Sequence, residues 1–284
     1  MLALDVRNLY KKYPHFQLKD VSFQLEKGYI MGFIGANGAG KTTTLKSILK
    51  MIQTDSGEIR ILGKNIAEHE LELKQEIGCA FGGTDFYTRT KIKTLTDVVK
   101  KFYTNWNDDT YSNYLRKFKL DENKKIAELS TGMKVKYNLA LALSHGAKLL
   151  VLDEPTSGLD PVARDDLLDI FQELVLDGEV SILFSTHITS DLEKCADFIT
   201  FIANGQIIAS AEKDDFKESY RLLSGSESQL PQVKEQLISY KVNSFGFTGL
   251  IHANDFDSST DIKATTPSLE EIMIYFAKKE DIHA

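Results

Sequence analysis

An apolar run from Tyr29 to Ile34 breaks into Gly35-Ala36-Asn37-Gly38-Ala39-Gly40-Lys41-Thr42-Thr43, and a helix-compatible stretch, Thr44 to Ile52, follows. Strand, glycine-rich loop and helix in this order specify a phosphate-binding loop. Glycines let the backbone curl so that successive N–H groups point inward at phosphate oxygens, and the helix adds the positive end of its dipole. In such a loop Lys41 reaches the β and γ phosphates, and the Thr42 hydroxyl is placed to hold a Mg2+ that bridges them.

The 284 residues, 42% of them hydrophobic, allow one large or two unequal domains with a sizeable core. A net charge of −7 disfavours a broad nucleic-acid footprint. Cys79 and Cys195 match no metal or redox spacing, so both read as core thiols of a reduced, cytosolic protein. No apolar run approaches the roughly 20 residues of a membrane span, and Asp5, Arg7 and Lys11 stand where a signal peptide would be apolar. Any membrane must therefore be supplied by a partner.

Leu4 to Tyr10 and Leu18 to Glu26 read as strands around a turn at Tyr13-Pro14, where Tyr13 taken alone is a surface tyrosine. Gly57 to Leu62 is a further short strand, Glu68 to Glu76 a solvated helix, and Ile77 to Phe81 a buried strand ended by Gly82-Gly83. From about residue 85 to 146 helical spacing takes over in Leu95 to Trp106, Asp109 to Phe118 and Thr131 to Ser144. This predicts a helical subdomain inserted between sheet strands, with Trp106 as a core anchor and its many lysines on a solvated face.

Lys148 to Leu152, apolar apart from its first residue, is a strand running into Asp153-Glu154-Pro155, which puts two carboxylates at the carboxyl edge where open α/β sheets bind ligands. Asp153 suits a Mg2+ contact and Glu154 the polarisation of an attacking water. Ser157-Gly158-Leu159-Asp160-Pro161 leads into a helix, Val162 to Leu176. Val180 to Ser185 is another buried strand that delivers Thr186 and His187 to the same edge. A lone histidine after a strand is ordinarily structural, but beside Lys41, Asp153 and Glu154 this one reads as a γ-phosphate contact.

Ser190-Asp191-Leu192-Glu193 has the form of a capping box, and Asn204-Gly205 between two apolar runs is a hairpin signal. Composition shifts near Glu212. Beyond it lie a mixed segment to Ile251, a turn-rich stretch to Pro267, and a helix opened by Ser268-Leu269-Glu270-Glu271 whose apolar face is Leu269, Ile272, Met273 and Phe276. The expected division is 1–211 and a small α+β domain, 212–284.

Taken together these motifs resemble the ATPase subunit of an ABC transporter, in family order from about Leu4 to Ser210. Leu149 to Glu154 stands as Walker B, Ser157 to Asp160 as the D-loop and His187 as the switch histidine. The family's LSGGQ signature appears as Leu129-Ser130-Thr131-Gly132-Met133, and Tyr13 matches the adenine-stacking aromatic.

The resemblance implies an α/β P-loop ATPase core with an antiparallel β subdomain and the inserted helical subdomain. It implies ATP and Mg2+ as cofactors, with Thr42 and Asp153 on the metal. Lys41, Glu154 and His187 would be catalytic. Gly35, Asn37, Gly38, Gly40 and Thr43 would cradle the phosphates. Ser130, Gly132 and Asp160 would act across a head-to-tail dimer with a second ATPase subunit. Integral membrane subunits dock on such inserts, which puts the chain at the cytoplasmic face of the cell membrane, with no nucleic acid involved.

Two departures stand out: Gly82 where the family carries Gln, and Thr131 and Met133 in the signature. The general style, less specific than the cassette, is similar to bacterial exporters of drugs, antimicrobial peptides or peptide toxins. A non-transport ATPase is disfavoured by the single cassette and the lack of sustained heptads. A weakly hydrolysing regulatory module is disfavoured by Glu154 and His187.

Overall fold

Two strands open the fold, β1 (Leu2–Tyr13), buried over Ala3 to Val6, and β2 (Phe16–Glu26), whose alternation from Val21 on makes it one-faced. Leu4, Val6 and Leu9 on β1 and Leu18, Val21, Phe23 and Leu25 on β2 are buried. They pack with Phe33, Leu45 and Ile48 into one core, which locks this antiparallel layer onto the phosphate-loop strand and helix. The computed structural model describes residues 1–81, 87–257 and 261–281, so Gly82 lies outside the described residues. The chain divides into two compact units, Met1–Ile208 and Ala209–Ala284.

The first unit continues with β3 (Ile30–Ile34), α1 (Lys41–Ile48), β4 (Ser56–Ile61), β5 (Lys64–Asn65), α2 (Glu70–Leu73) and β6 (Ile77–Phe81). Then come α3 (Ile92–Val99), α4 (Asp108–Lys117), α5 (Thr131–Ser144), β7 (Leu149–Asp153), α6 (Pro161–Val175), β8 (Ser181–Thr186), α7 (Thr189–Cys195) and β9 (Phe198–Ala203), and β10 (Gln206–Glu212) runs across the boundary between the units. Among the described residues β1 lies between β2 and β4 in an antiparallel sheet ordered β2-β1-β4-β5. The second sheet is ordered β10-β9-β3-β8-β7-β6. The pairs from β9 through β6 in it are parallel. Its strands β3, β7 and β8 are buried along their whole length, which is why they read as unbroken apolar runs. Register then aligns the carboxyl ends: Ile34 stands beside Thr186, and Asp153 beside both Ser185 and Phe81.

Asn204 and Gly205 take the left-handed conformations of a tight hairpin turn, with φ of 46° and 75°. The turn braces the phosphate loop, because Gly205 N donates to Ala39 O at 2.9 Å while Gly205 O accepts from Lys19 N at 2.8 Å.

Local expectations fail where tertiary contacts outweigh propensity. The helix expected over 68–76 is a single turn, Glu70–Leu73, in which Leu73 alone is buried. In the insert, α3 starts earlier than expected because Ile92 is buried, and it ends at Val99 in a short 3-10 turn. Trp106 is not a core anchor. It is half-buried, with Nε1 donating to Asp108 Oδ1 at 2.8 Å and its ring tilted 5.4 Å from Tyr111. The polar centre of the insert is instead Thr96, whose hydroxyl meets those of Tyr111 and Tyr137 at 2.8 Å each.

Cys195 is buried as expected, but Cys79, on strand β6 at the end of its sheet, is exposed. Ser190 does not cap α7. Ile188 takes the cap position without a side-chain bond, Ser190 Oγ accepts from Arg164 at 2.7 Å, and Asp191 turns inward.

The second unit holds α8 (Lys213–Glu218), β11 (Tyr220–Gly225), α9 (Leu230–Val233), β12 (Ser239–Asn243), β13 (Gly246–His252), β14 (Lys263–Thr265) and α10 (Leu269–Asp281). Its antiparallel sheet is ordered β12-β13-β11-β14 over a core of Leu223, Leu230, Val233, Phe247, Ile251 and Ile262. The capping box before α10 forms: Ser268 N donates to Glu271 Oε2 at 2.8 Å and Glu271 N to Ser268 Oγ at 3.2 Å. Leu269 and Ile272 are buried as expected, but the third buried position is Tyr275, while Met273 and Phe276 are half-buried. Tyr275 is drawn in by two bonds, its hydroxyl to Thr248 Oγ1 at 2.7 Å and its carbonyl from Ser239 Oγ at 2.5 Å.

Candidate functional site

Gly40 ends the loop at φ 112°, a conformation few L-residues adopt, and a Cβ there would sit 2.8 Å from both Leu18 Cδ2 and Phe16 Cζ. This turn starts α1 at Lys41 with no side-chain cap, leaving first-turn N–H groups for an anion. Lys41 is buried and folds back over the loop. Its Nζ donates to Gly35 O at 2.8 Å and Ala36 O at 3.2 Å, and pairs with Glu154 Oε1 at 3.3 Å.

Glu154 leaves β7 in the left-handed region, at φ 50°. Its second oxygen, Oε2, accepts from His187 Nδ1 at 2.8 Å, so the general-base candidate sits between a cation and an imidazole. Asp153, at the end of the same strand, accepts from Thr42 Oγ1 at 2.8 Å through Oδ2 and from Ser185 Oγ at 2.6 Å through Oδ1.

Lys41, Thr42, Glu154 and His187 line a cleft of about 680 Å3 with Asn37, Gly38, Gly40, Thr43, His15, Phe16 and Ser157, while Asp153, which is buried, reaches it through Thr42. Gly35 lies behind the loop as an acceptor for Lys41. Hydroxyl and carboxylate oxygens converge at Thr42 and Asp153, the hard donor set that suits Mg2+, whose remaining positions are ordinarily filled by phosphate and water.

Other predicted residues stand apart from this cleft within the chain. Ser130 caps α5, its Oγ accepting from Met133 N at 3.3 Å, and Gly132 is buried in the first turn beside Leu159. Asp160 caps α6, its Oδ1 accepting from Val162 N and Ala163 N at 3.0 Å each. Tyr13 is exposed at the end of β1, with Lys11 Nζ 5.5 Å from its ring, and is not among the cleft-lining residues.

The sequence reading overlooked His15 and Phe16, which the turn at Pro14-His15 carries to the cleft wall; that turn was their only local signal. It also passed over Ser185 and Asp191. The Asp191 carboxylate is wholly buried, and accepts from Thr156 Oγ1 at 2.6 Å, Thr186 Oγ1 at 3.3 Å and the Arg164 guanidinium. It thereby ties the loop after Glu154 to the residue before His187 and to the helix capped by Asp160.

The sequence model of the family described as ABC transporter matches residues 18–157. The ABC transporter ATP-binding protein YtrB of Bacillus subtilis is 37% identical over 219 residues, covering 76% of this chain and 74% of that protein. The bacitracin transport ATP-binding protein BcrA of Bacillus licheniformis is 32% identical, covering 71% of this chain and 66% of its own length. Among solved structures, one described as the ATP binding subunit of an ABC transporter superposes with a TM-score of 0.68 at 29% identity, over 76% of this chain and 92% of that one. Among the described residues no helix is long and apolar enough to cross a membrane. Lys41, Asp153, Glu154 and His187 at one sheet edge, on a chain with these relatives, place it in the ABC transporter family as an ATP-binding, ATP-hydrolysing subunit.

Proposed function

We propose that this chain works as one half of a head-to-tail ATPase pair at the cytoplasmic face of a membrane, driving integral membrane subunits that export a drug, peptide or lipid-like substrate. The observation that carries the site assignment is the Lys41–Glu154–His187 chain of contacts, with Oε1 of Glu154 at 3.3 Å from Lys41 and Oε2 at 2.8 Å from His187. The export reading is supported by relatives such as the one named for bacitracin transport.

In this reading the backbone N–H groups of residues 38–43 bind the β and γ phosphates, and Lys41 exchanges its loop carbonyls for phosphate oxygens. Thr42 and Asp153 would hold Mg2+, which would supply neutralisation of phosphate charge. Glu154 accepts a proton from the attacking water, and His187 orients that carboxylate and contacts the γ phosphate. Tyr13 stacks on the adenine base. Ser130 and Gly132, at the amino end of α5, present donors and a dipole to the γ phosphate of a second subunit, with Asp160 at the same interface. ATP thus favours the closed pair, and hydrolysis removes the contacts that hold it, which is a shift between two states by differential binding.

The test is the mass in solution of Glu154→Gln, by light scattering, with and without Mg2+ and ATP. A shift from monomer to dimer only with nucleotide supports the pair. A protein that binds ATP and stays monomeric sinks the homodimer and points to a different cassette as partner.

A further inference from the structure

Ser185 lies at the carboxyl end of β8, wholly buried and in register with Asp153 on β7. Its hydroxyl carries one proton, and that proton goes to Asp153 Oδ1 at 2.6 Å. Ser185 Oγ in turn accepts the backbone N–H of Glu154 at 3.0 Å, and the Ser185 carbonyl accepts it again at 3.2 Å. One side chain is therefore bonded both to the carboxylate that faces Thr42 and to the backbone of the residue that faces His187.

We infer that Ser185 is a positioning residue for the ATPase reaction, setting the orientation of the metal-side carboxylate and the placement of the Glu154 carboxylate together. The inference rests on the reading above that Thr42 and Asp153 hold the metal. A carboxylate is free to rotate about its bond to Cβ. With Oδ1 pinned by Ser185, Oδ2 is left facing the Thr42 hydroxyl, where it accepts at 2.8 Å. Glu154 stands at φ 50°, a conformation a non-glycine residue holds only when its surroundings impose it. The paired acceptors of Ser185 are what its amide meets there. The Ser185 hydroxyl lines no part of the cleft, so it acts through Asp153 and Glu154, as groups behind metal ligands do.

The test uses the full chain with Ser185→Ala, Ser185→Thr and Asp153→Asn, reading Mn2+ affinity by electron paramagnetic resonance in the presence of a non-hydrolysable ATP analogue. ATP affinity in EDTA, kcat, KM and the urea midpoint are measured alongside. Ser185→Ala is expected to weaken Mn2+ binding and lower kcat by about tenfold or more, while ATP affinity in EDTA and KM stay within about threefold. Ser185→Thr, which restores the hydroxyl, is expected to recover both. Ser185→Cys, close in volume and a poor donor, replaces the alanine variant if that one does not fold, with the same loss expected.

Wild-type Mn2+ affinity and kcat in a folded Ser185→Ala, or a folded Ser185→Thr as impaired as the alanine variant, overturn the inference. An Asp153→Asn protein that binds Mn2+ like the wild type sinks the metal reading itself. Loss in Asp153→Asn with none in Ser185→Ala removes Ser185 alone.

Discussion

Thr42 Oγ1 donates to Asp153 Oδ2 at 2.8 Å, joining the first turn of α1 to the end of β7 across 111 residues of chain. Both groups present oxygens beside the phosphate-binding loop, and in the proposed reading they would hold Mg2+. Thr42→Ala is expected to lower Mg2+-dependent ATP hydrolysis by about a hundredfold, and Thr42→Ser, which keeps the hydroxyl, to stay within about threefold. Steady-state phosphate release across a Mg2+ titration checks both.

His187 donates to the carboxylate that also pairs with Lys41, so removing the imidazole leaves Glu154 free to swing toward the lysine. His187→Ala is expected to lower kcat by about a hundredfold or more while ATP binding persists, as for the loss of one aligned polar catalytic group. Phosphate release and equilibrium binding of a fluorescent ATP analogue, measured on one preparation, check the split. Weakened binding with an unchanged kcat is the result that would count against the assignment.

Asp191 is a fully buried charge whose partners are Arg164, Thr156 and Thr186. Asp191→Ala leaves Arg164 with Ser190 and Thr156 without its acceptor, and is expected to cost about 2–4 kcal/mol of stability. Asp191→Asn keeps the shape and part of the bonding, and is expected to cost about 1–3 kcal/mol. Urea midpoints check the ranking.

Gly205 tests the brace under the phosphate loop. At φ 75°, a Cβ there would lie 1.8 Å from Gln17 O, whereas at Gly63, φ 82°, nothing lies within 4 Å. Gly63→Ala is expected to cost about 1–2 kcal/mol from backbone conformation alone, and Gly205→Ala clearly more because β2 must also move. Equal urea midpoints for the two variants would remove the brace.

His145 gives a pH dependence with a definite sign. Its ring is 2% exposed, stacked 3.7 Å from Tyr103, with Nδ1 donating to Gln75 O at 3.0 Å. Burial pushes its pKa below the ordinary histidine value, and the bond to Gln75 O opposes that only in part. The unfolded chain then takes up a proton more readily than the folded one. This contribution to stability is full above about pH 6.5, is lost as pH falls through that value, and levels off once the folded state protonates too. The loss in urea midpoint between about pH 8 and about pH 5.5, which spans the ordinary histidine value, is expected to be larger in the wild type than in His145→Asn.

The strand-loop-helix order around Lys41, the placing of Asp153, Glu154 and His187 at one sheet edge, the Asn204-Gly205 turn and the Ser268 capping box were all legible in the sequence. Each is a contiguous pattern whose meaning comes from backbone geometry over a few residues: a left-handed glycine, a strand edge, a helix start. The unbroken apolar runs of β3, β7 and β8 likewise declared a sheet covered on both faces. Local pattern misled where a distant partner claimed the same atoms. Ser190 looks like a cap until Arg164, 26 residues earlier, takes its hydroxyl. Trp106 looks like a core anchor until Asp108 and the surface of the insert hold it half-buried.

The sequence alone determined which chemistry the chain carries, because the residue types and spacings that cradle phosphate are local. Only the tertiary structure decided how that chemistry is supported. Nothing near Ser185 in the sequence says that β8 lies beside β7, so its place behind Asp153 and Glu154 follows from strand order and register. Asp191 is the same case: a buried charge is tolerable only where separate segments converge to satisfy it, and that convergence exists only in the folded chain.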